Sequence, residues 1–212
     1  MSIALVAARD AHAEIILETA SGWDGHSAIG NLVVGDTWGQ TFRTPDNVSH
    51  LSEASFWVQT YPVNPYGNGP YTFDITGYLM AWDGEKGIQP ILADSKVSVN
   101  TSVGEFSRVD FDFQGVSVAE NSQYVLFFMV SPTPVLNYVN FGFVDGNPYA
   151  DGGLSSPYAG SFYLISLLPW GRSVDDLAFE LRFAAVPEPS TFGLGLLGSF
   201  ALLAVSLRRG RP

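Results

Sequence analysis

Asp176-Leu177-Ala178-Phe179-Glu180-Leu181-Arg182-Phe183 is the stretch whose reading decides the fold. Leu177, Phe179, Leu181 and Phe183 recur at every second position, set against Asp176, Glu180 and Arg182. Successive side chains of an extended chain point to opposite faces, so this spacing makes one apolar face and one wet face. Val109, Phe111 and Phe113 alternate with Arg108, Asp110 and Asp112 in the same way. Ala54, Phe56 and Val58 do so against Ser55 and Gln59, with Trp57 on the nominally outer face. Further strands are expected at 14–19, 31–34, 40–43, 72–81, 91–99, 124–130, 140–144 and 161–166. Tyr124-Val125-Leu126-Phe127-Phe128-Met129-Val130 is apolar on both faces and belongs in a central strand covered on both sides. Between residues 14 and 186 nothing sustains a 3.6-residue period. Around ten strands at roughly 8–15-residue spacing predict an all-β fold, an antiparallel jelly-roll-like β-sandwich.

Turn chemistry separates these strands. Asn64-Pro65-Tyr66-Gly67-Asn68-Gly69-Pro70 cannot join a ladder, because its prolines lack donors. Asp145-Gly146-Asn147-Pro148-Tyr149-Ala150-Asp151-Gly152-Gly153 reads as a second exposed connection. No internal repeat is visible, which disfavours propellers and solenoids.

Composition narrows the function classes. The chain has 212 residues and no cysteine, so disulfides, iron–sulfur clusters and thiol catalysis are excluded. Between residues 14 and 186 stand six basic and 19 acidic residues, a balance of −13. Such a surface repels phosphate backbones, and no nucleic-acid partner is expected. Three histidines, one of them at position 12, offer little for a zinc site.

The C-terminus has a different character. Pro187-Glu188-Pro189 stops any preceding strand. Thr191-Phe192-Gly193-Leu194-Gly195-Leu196-Leu197-Gly198-Ser199-Phe200-Ala201-Leu202-Leu203-Ala204-Val205-Ser206-Leu207 then runs 17 residues without a charge, and Arg208-Arg209-Gly210-Arg211 follows. As a helix the run would extend about 26 Å, close to the hydrocarbon core of a bilayer. A single C-terminal transmembrane helix is therefore expected, with Arg208, Arg209 and Arg211 held in the cytoplasm and the residues before Pro187 outside.

The ordered set of Pro187-Glu188-Pro189, apolar run and terminal arginines resembles the PEP-CTERM sorting signal of Gram-negative bacteria. The resemblance covers residues 186–212. It implies recognition at Pro187, Glu188 and Pro189 by an exosortase, a membrane-embedded enzyme, and a host that makes exopolysaccharide and lives in biofilm. It further implies export, anchoring in the inner membrane before processing, and delivery to the cell surface or extracellular matrix. Gly39-Gln40-Thr41-Phe42, Ser55-Phe56-Trp57, Tyr78-Leu79-Met80-Ala81-Trp82-Asp83-Gly84 and Tyr124-Val125-Leu126 also resemble an uncharacterised group of PEP-CTERM cargo domains. Similar spacing occurs in carbohydrate-binding-like β-sandwich modules.

An exported chain needs a signal at its front. Residues 3–8 are apolar, and Ala11-His12-Ala13 has the form of a signal-peptidase site. The stretch is short and no basic residue precedes it, so residues 1–13 read as the remnant of a signal peptide whose true start lies upstream. The sandwich is then expected over 14–185, and the sorting signal over 186–212.

Candidate binding residues are aromatic. Exposed rings stack on the apolar faces of sugars, and Trp57, Tyr61 and Trp82 are the expected stacking residues. Asp83-Gly84-Glu85 and Asp145-Gly146-Asn147 place oxygen ligands beside glycines, the candidate places for a structural calcium. Neither has the acid spacing of an EF-hand loop, no metal site is assigned, and no cofactor is expected. There is no G-x-S-x-G elbow and no H-E-x-x-H helix, while His26 and His50 have no specified partner. No catalytic residue is named, and the chain is expected not to be an enzyme. The expected role is structural or adhesive, in association with exopolysaccharide. The alternatives are a carbohydrate-binding module and, further off, a secreted glycoside hydrolase carrying two facing carboxylates.

Overall fold

A computed structural model describes residues 14–32, 36–62, 71–131, 137–157, 165–173 and 175–186. Residues 1–13, expected to be a signal remnant, the Pro187-Glu188-Pro189 motif, the 191–207 run and the terminal arginines lie outside these residues. Among the described residues no helix is long and apolar enough to cross a membrane.

The chain forms the antiparallel sandwich that the alternation predicts. One sheet holds β1 (Glu14–Glu18), β2 (Ala28–Leu32), β4 (Val48–Pro62), β7 (Ser107–Ser117), β9 (Asn137–Val144), β12 (Asp176–Leu177) and β13 (Phe179–Ala185). The other runs β11 (Trp170–Arg172), β10 (Gly153–Pro157), β3 (Trp38–Arg43), β8 (Gln123–Val130), β5 (Tyr71–Trp82) and β6 (Gly87–Thr101), in that order. The long β4 organises the first sheet. Its first half pairs with β13 on one side and β7 on the other, and its last residues pair with β9.

Inward side chains of the two sheets meet in one aromatic core. Phe56 of β4 lies at its centre, with ring centroids 4.5 Å from Phe128, 6.2 Å from Phe179, 6.3 Å from Phe111 and 6.4 Å from Phe141. Tilted and edge-on pairs of this kind add to the burial term itself. β8 is the central, doubly covered strand expected from its composition. Tyr124, Leu126, Phe128 and Val130 face the inter-sheet core, while Val125 and Phe127 join a second apolar cluster with Met80, Trp82, Ile165 and Trp170.

Three local expectations are corrected. Residues 165 and 166 form a turn rather than part of a strand, and 161–164 lie outside the described residues. β10 and β11 have no counterpart among the expected strands, because Gly153-Leu154-Ser155-Ser156-Pro157 carries a single large apolar side chain. Asp176, assigned by alternation to the wet face, is completely buried. The alternation breaks at Ala178, where the chain changes partner: Leu177 pairs with Phe143 of β9, whereas Phe179 pairs with Phe56 of β4. Asp176 thus falls between the sheets.

A buried carboxylate must be satisfied by donors or it opposes folding. Gln40 Nε2 of β3 donates to Asp176 at 2.7 Å, and the Tyr149 backbone N–H donates at 2.9 Å. The same Gln40 accepts from the Leu177 N–H at 2.8 Å, and the Tyr149 hydroxyl donates to the Arg43 carbonyl at 2.9 Å. These bonds latch the two sheets together at one end of the sandwich. Burial pushes the Asp176 carboxyl above the ordinary carboxylate range, opposed by the Tyr149 N–H and the Gln40 amide.

Candidate functional site

The outer face of the first sheet carries both the Trp57 expected to bind sugar and most of the ion pairs. Arg108 Nε reaches Asp110 at 2.7 Å, and its other nitrogens lie 3.4 Å from Glu180 and 3.7 Å from Glu53. Arg182 adds contacts at 3.2 Å to Glu14 and 3.5 Å to Glu53. Trp57 does stand on this outer face, as the period-two pattern requires, but it is half-buried. Its ring is met by Trp23 at 5.8 Å and by the Arg108 guanidinium at 5.5 Å, so its neighbours take up stacking area that a sugar would need.

Trp23 reaches this position because Gly142 leaves room beneath it. A Cβ at Gly142 would fall 2.8 Å from the indole Cζ2 and 2.9 Å from Cε2. Gly142→Ala is therefore expected to push Trp23 off the sheet at a cost of about 1–3 kcal/mol, as for other over-packed sites. A red-shifted tryptophan emission together with a lower urea midpoint checks this.

Trp82 cannot serve as a stacking platform in this fold. It is 5% exposed and lies edge-on to Trp170, with centroids 5.5 Å apart. Ile165 and Trp170 pack over it on the outer face of the second sheet, a long-range event that no local pattern announces. The Tyr61 side chain lies outside the described residues, although its backbone pairs with Tyr138.

Beside Trp57 the structure holds a hollow that the aromatic reading missed. It measures about 600 Å³ and is lined by Gly25, His26, Gln59, Gly104, Glu105 and Phe106. Gln59 follows Trp57 by two residues on the same outward face of β4, yet it is only 3% exposed. Two turns rise over it. In the first, the Asp24 carboxylate accepts from the Ser27 and His26 N–H groups at 2.7 and 2.8 Å and from the Ser27 hydroxyl at 2.7 Å. Those bonds hold its pKa down at about 2, the Ser27 N–H contributing most. Gly25 closes the turn at φ +79°, a conformation that suits glycine. In the second, Gly104 at φ +74° donates to the Thr60 carbonyl at 3.2 Å, and the Thr101 hydroxyl donates to the Glu105 carbonyl at 2.9 Å. The turns meet where Trp23 packs edge-on against Phe106, with centroids 4.7 Å apart. Cross-strand from Gln59, Asn140 has a buried side-chain oxygen without a hydrogen-bond partner among the described residues.

The acidic turns serve their own backbones. Asp83 accepts from the Glu85 and Lys86 N–H groups at 2.8 and 2.9 Å, and Asp145 accepts from the Gly146 N–H at 2.9 Å. Among the described residues no group of three or more His, Cys, Asp or Glu is placed to hold a metal ion. His50 contacts the Ser49 hydroxyl at 2.8 Å, and His26 is exposed at the rim of the hollow. A smaller hollow of about 290 Å³ lies between Trp38, Ile29 and the β10–β11 hairpin.

Among solved structures, the fold is similar to a clostridial cysteine protease, Cwp84, after propeptide cleavage, at 7% identity over 81% of this chain with a TM-score of 0.49. It is similar also to the cysteine protease and lectin-like domains of Cwp84, a surface layer associated protein of Clostridium difficile, at 8% identity over 81% of this chain with a TM-score of 0.48. The chain spans 40% and 36% of the lengths of those two proteins. TmCBM61 in complex with beta-1,4-galactotriose matches 68% of this chain and 83% of its own, at 12% identity and a TM-score of 0.31. These likenesses are too distant to bear on function. No curated protein matches the sequence. The C-terminus is different: residues 185–211 match the family model of the PEP-CTERM protein-sorting motif. Behind its β-sandwich the chain thus carries a PEP-CTERM sorting domain of the kind that exosortase recognises, which makes it an exported protein processed at the membrane.

Proposed function

We propose that the sandwich is a structural or adhesive element of the cell surface or extracellular matrix, held in association with exopolysaccharide and without catalytic activity of its own. The observation that carries this reading is the sorting motif at residues 185–211. Its physical sequence has two steps. The uncharged 191–207 run inserts into the inner membrane, and Arg208, Arg209 and Arg211 keep the end of the chain in the cytoplasm. Processing near Pro187-Glu188-Pro189 then frees the sandwich for the surface. The use of Glu53, Asp110 and Glu180 in ion pairs, and of Asp24 and Asp83 in turns, supports a non-catalytic role.

Mass spectrometry of the mature C-terminus tests this. In cells with exosortase the recovered chain should lack the 191–207 run, and in cells without it, or in a Glu188→Ala variant, the run should be retained in the membrane fraction. Identical C-termini with and without the enzyme would overturn the sorting step. A second reading, a dedicated carbohydrate-binding module, is favoured by one observation: the polar hollow over the buried Gln59.

A further inference from the structure

We propose that the hollow over Gln59 binds a neutral pyranose unit of an extracellular glycan. This deepens the reading just given, and depends on it only for bringing the domain among such glycans. Gln59 carries the argument. An outward-facing carboxamide on a sheet is normally wet, whereas this one is 3% exposed at the floor of the hollow. What little of it is exposed opens on the hollow, where a bound ligand would supply hydrogen-bond partners. The neighbouring Asn140 side-chain oxygen is buried and has no hydrogen-bond partner among the described residues.

The chemistry around Gln59 selects the ligand class. A carboxamide offers two donors and an acceptor, the Glu105 carboxylate offers acceptors, and the His26 ring offers one of each. Sugar hydroxyls are both donors and acceptors, so they satisfy such a mixed set. Phe106 supplies the apolar wall that the C–H face of a pyranose requires. The volume of about 600 Å³ falls within the range of small-molecule sites. Anionic sugars and phosphates are disfavoured, since no Lys or Arg lines the hollow and the 14–186 segment carries −13. A divalent cation would find a single carboxylate there. Hydrolysis of a glycosidic bond needs two carboxyl groups flanking it, so the hollow is built to hold a sugar rather than to cut one.

Titration of the full-length chain, in a detergent without a sugar headgroup, tests the proposal. The probes are neutral trisaccharides of glucose, galactose and mannose, at concentrations up to about 10 mM, with a polyuronate as the anionic control. Because Trp23 packs on Phe106, occupancy should shift the tryptophan emission. The expected result is a saturable shift with at least one neutral trisaccharide, weakened about tenfold or more in Gln59→Ala and in Glu105→Ala. Asp94→Asn, on the other sheet, should bind as the parent does. Should Gln59→Ala fail to fold, Glu105→Ala decides, since Glu105 is exposed on its turn. No shift with any neutral sugar, a shift with polyuronate alone, or affinities within twofold in both variants would overturn the proposal. Correct processing without binding removes only the hollow, and binding by a chain that exosortase never processes removes only the sorting step.

Discussion

Truncating Phe56 to alanine is expected to destabilise the sandwich by about 3–5 kcal/mol, the range for removing a fully buried aromatic. The reason is its position rather than its type. Four other phenylalanines from four strands of both sheets meet this one ring, with centroids between 4.5 and 6.4 Å away. Because the strands around it are tied by ladders on both sides of β4, the backbone cannot collapse into the space left behind. A domain of this size is stable by about 5–15 kcal/mol, so the variant should lose a large share of the total. Urea unfolding followed by far-ultraviolet circular dichroism measures it. A loss under about 1 kcal/mol would mean that the core closes over the gap after all.

The second large effect is expected at Asp176. Asp176→Ala leaves the Gln40 amide and the Tyr149 N–H without their buried acceptor, and each orphaned donor costs about 1–3 kcal/mol. The pH dependence gives this residue a signature of its own. Burial raises its carboxyl pKa in the folded chain, so between the ordinary carboxylate value and the raised one the native state holds a proton that the unfolded chain has released. Stability contributed by this group is then complete below the ordinary value and declines as pH rises through the window. The gap in stability between the parent and Asp176→Ala should therefore narrow as the pH is raised from acid towards neutrality. Urea midpoints of both chains across that range provide the check. A gap that widened instead would place the charged form, not the protonated one, as the better fit to the latch.

The sheets themselves were legible in the sequence because the first sheet and β8 obey simple burial rules. Leu181 and Phe183, or Val109, Phe111 and Phe113, each keep one partner face along the whole strand, so alternation and burial coincide. Reading failed where a distant segment changed the surroundings. Asp176 looked wet because β12 and β13 read as one strand, while the change from β9 to β4 at Ala178 turns it inward. Trp82 looked available because the chain that covers it arrives more than 80 residues later. Gln59 was assigned correctly to the outer face, yet nothing in its neighbourhood foretold that the turns at Gly25 and Gly104 would close over it. The Pro187-Glu188-Pro189 signal, by contrast, is read by order along the chain and needs no tertiary context.

The placement of β13 has a mechanical consequence. It is flanked in register by β1 on one side and β4 on the other, and it ends at Ala185, next to the residue from which the sorting segment departs. A pull applied at Val186 loads two antiparallel ladders along their length, so their hydrogen bonds must fail together in shear instead of peeling one at a time. Resistance to such force is set by the rate of unfolding rather than by the equilibrium stability. A domain pulled through this strand would resist the load better than one hung from the terminal strand of its sheet.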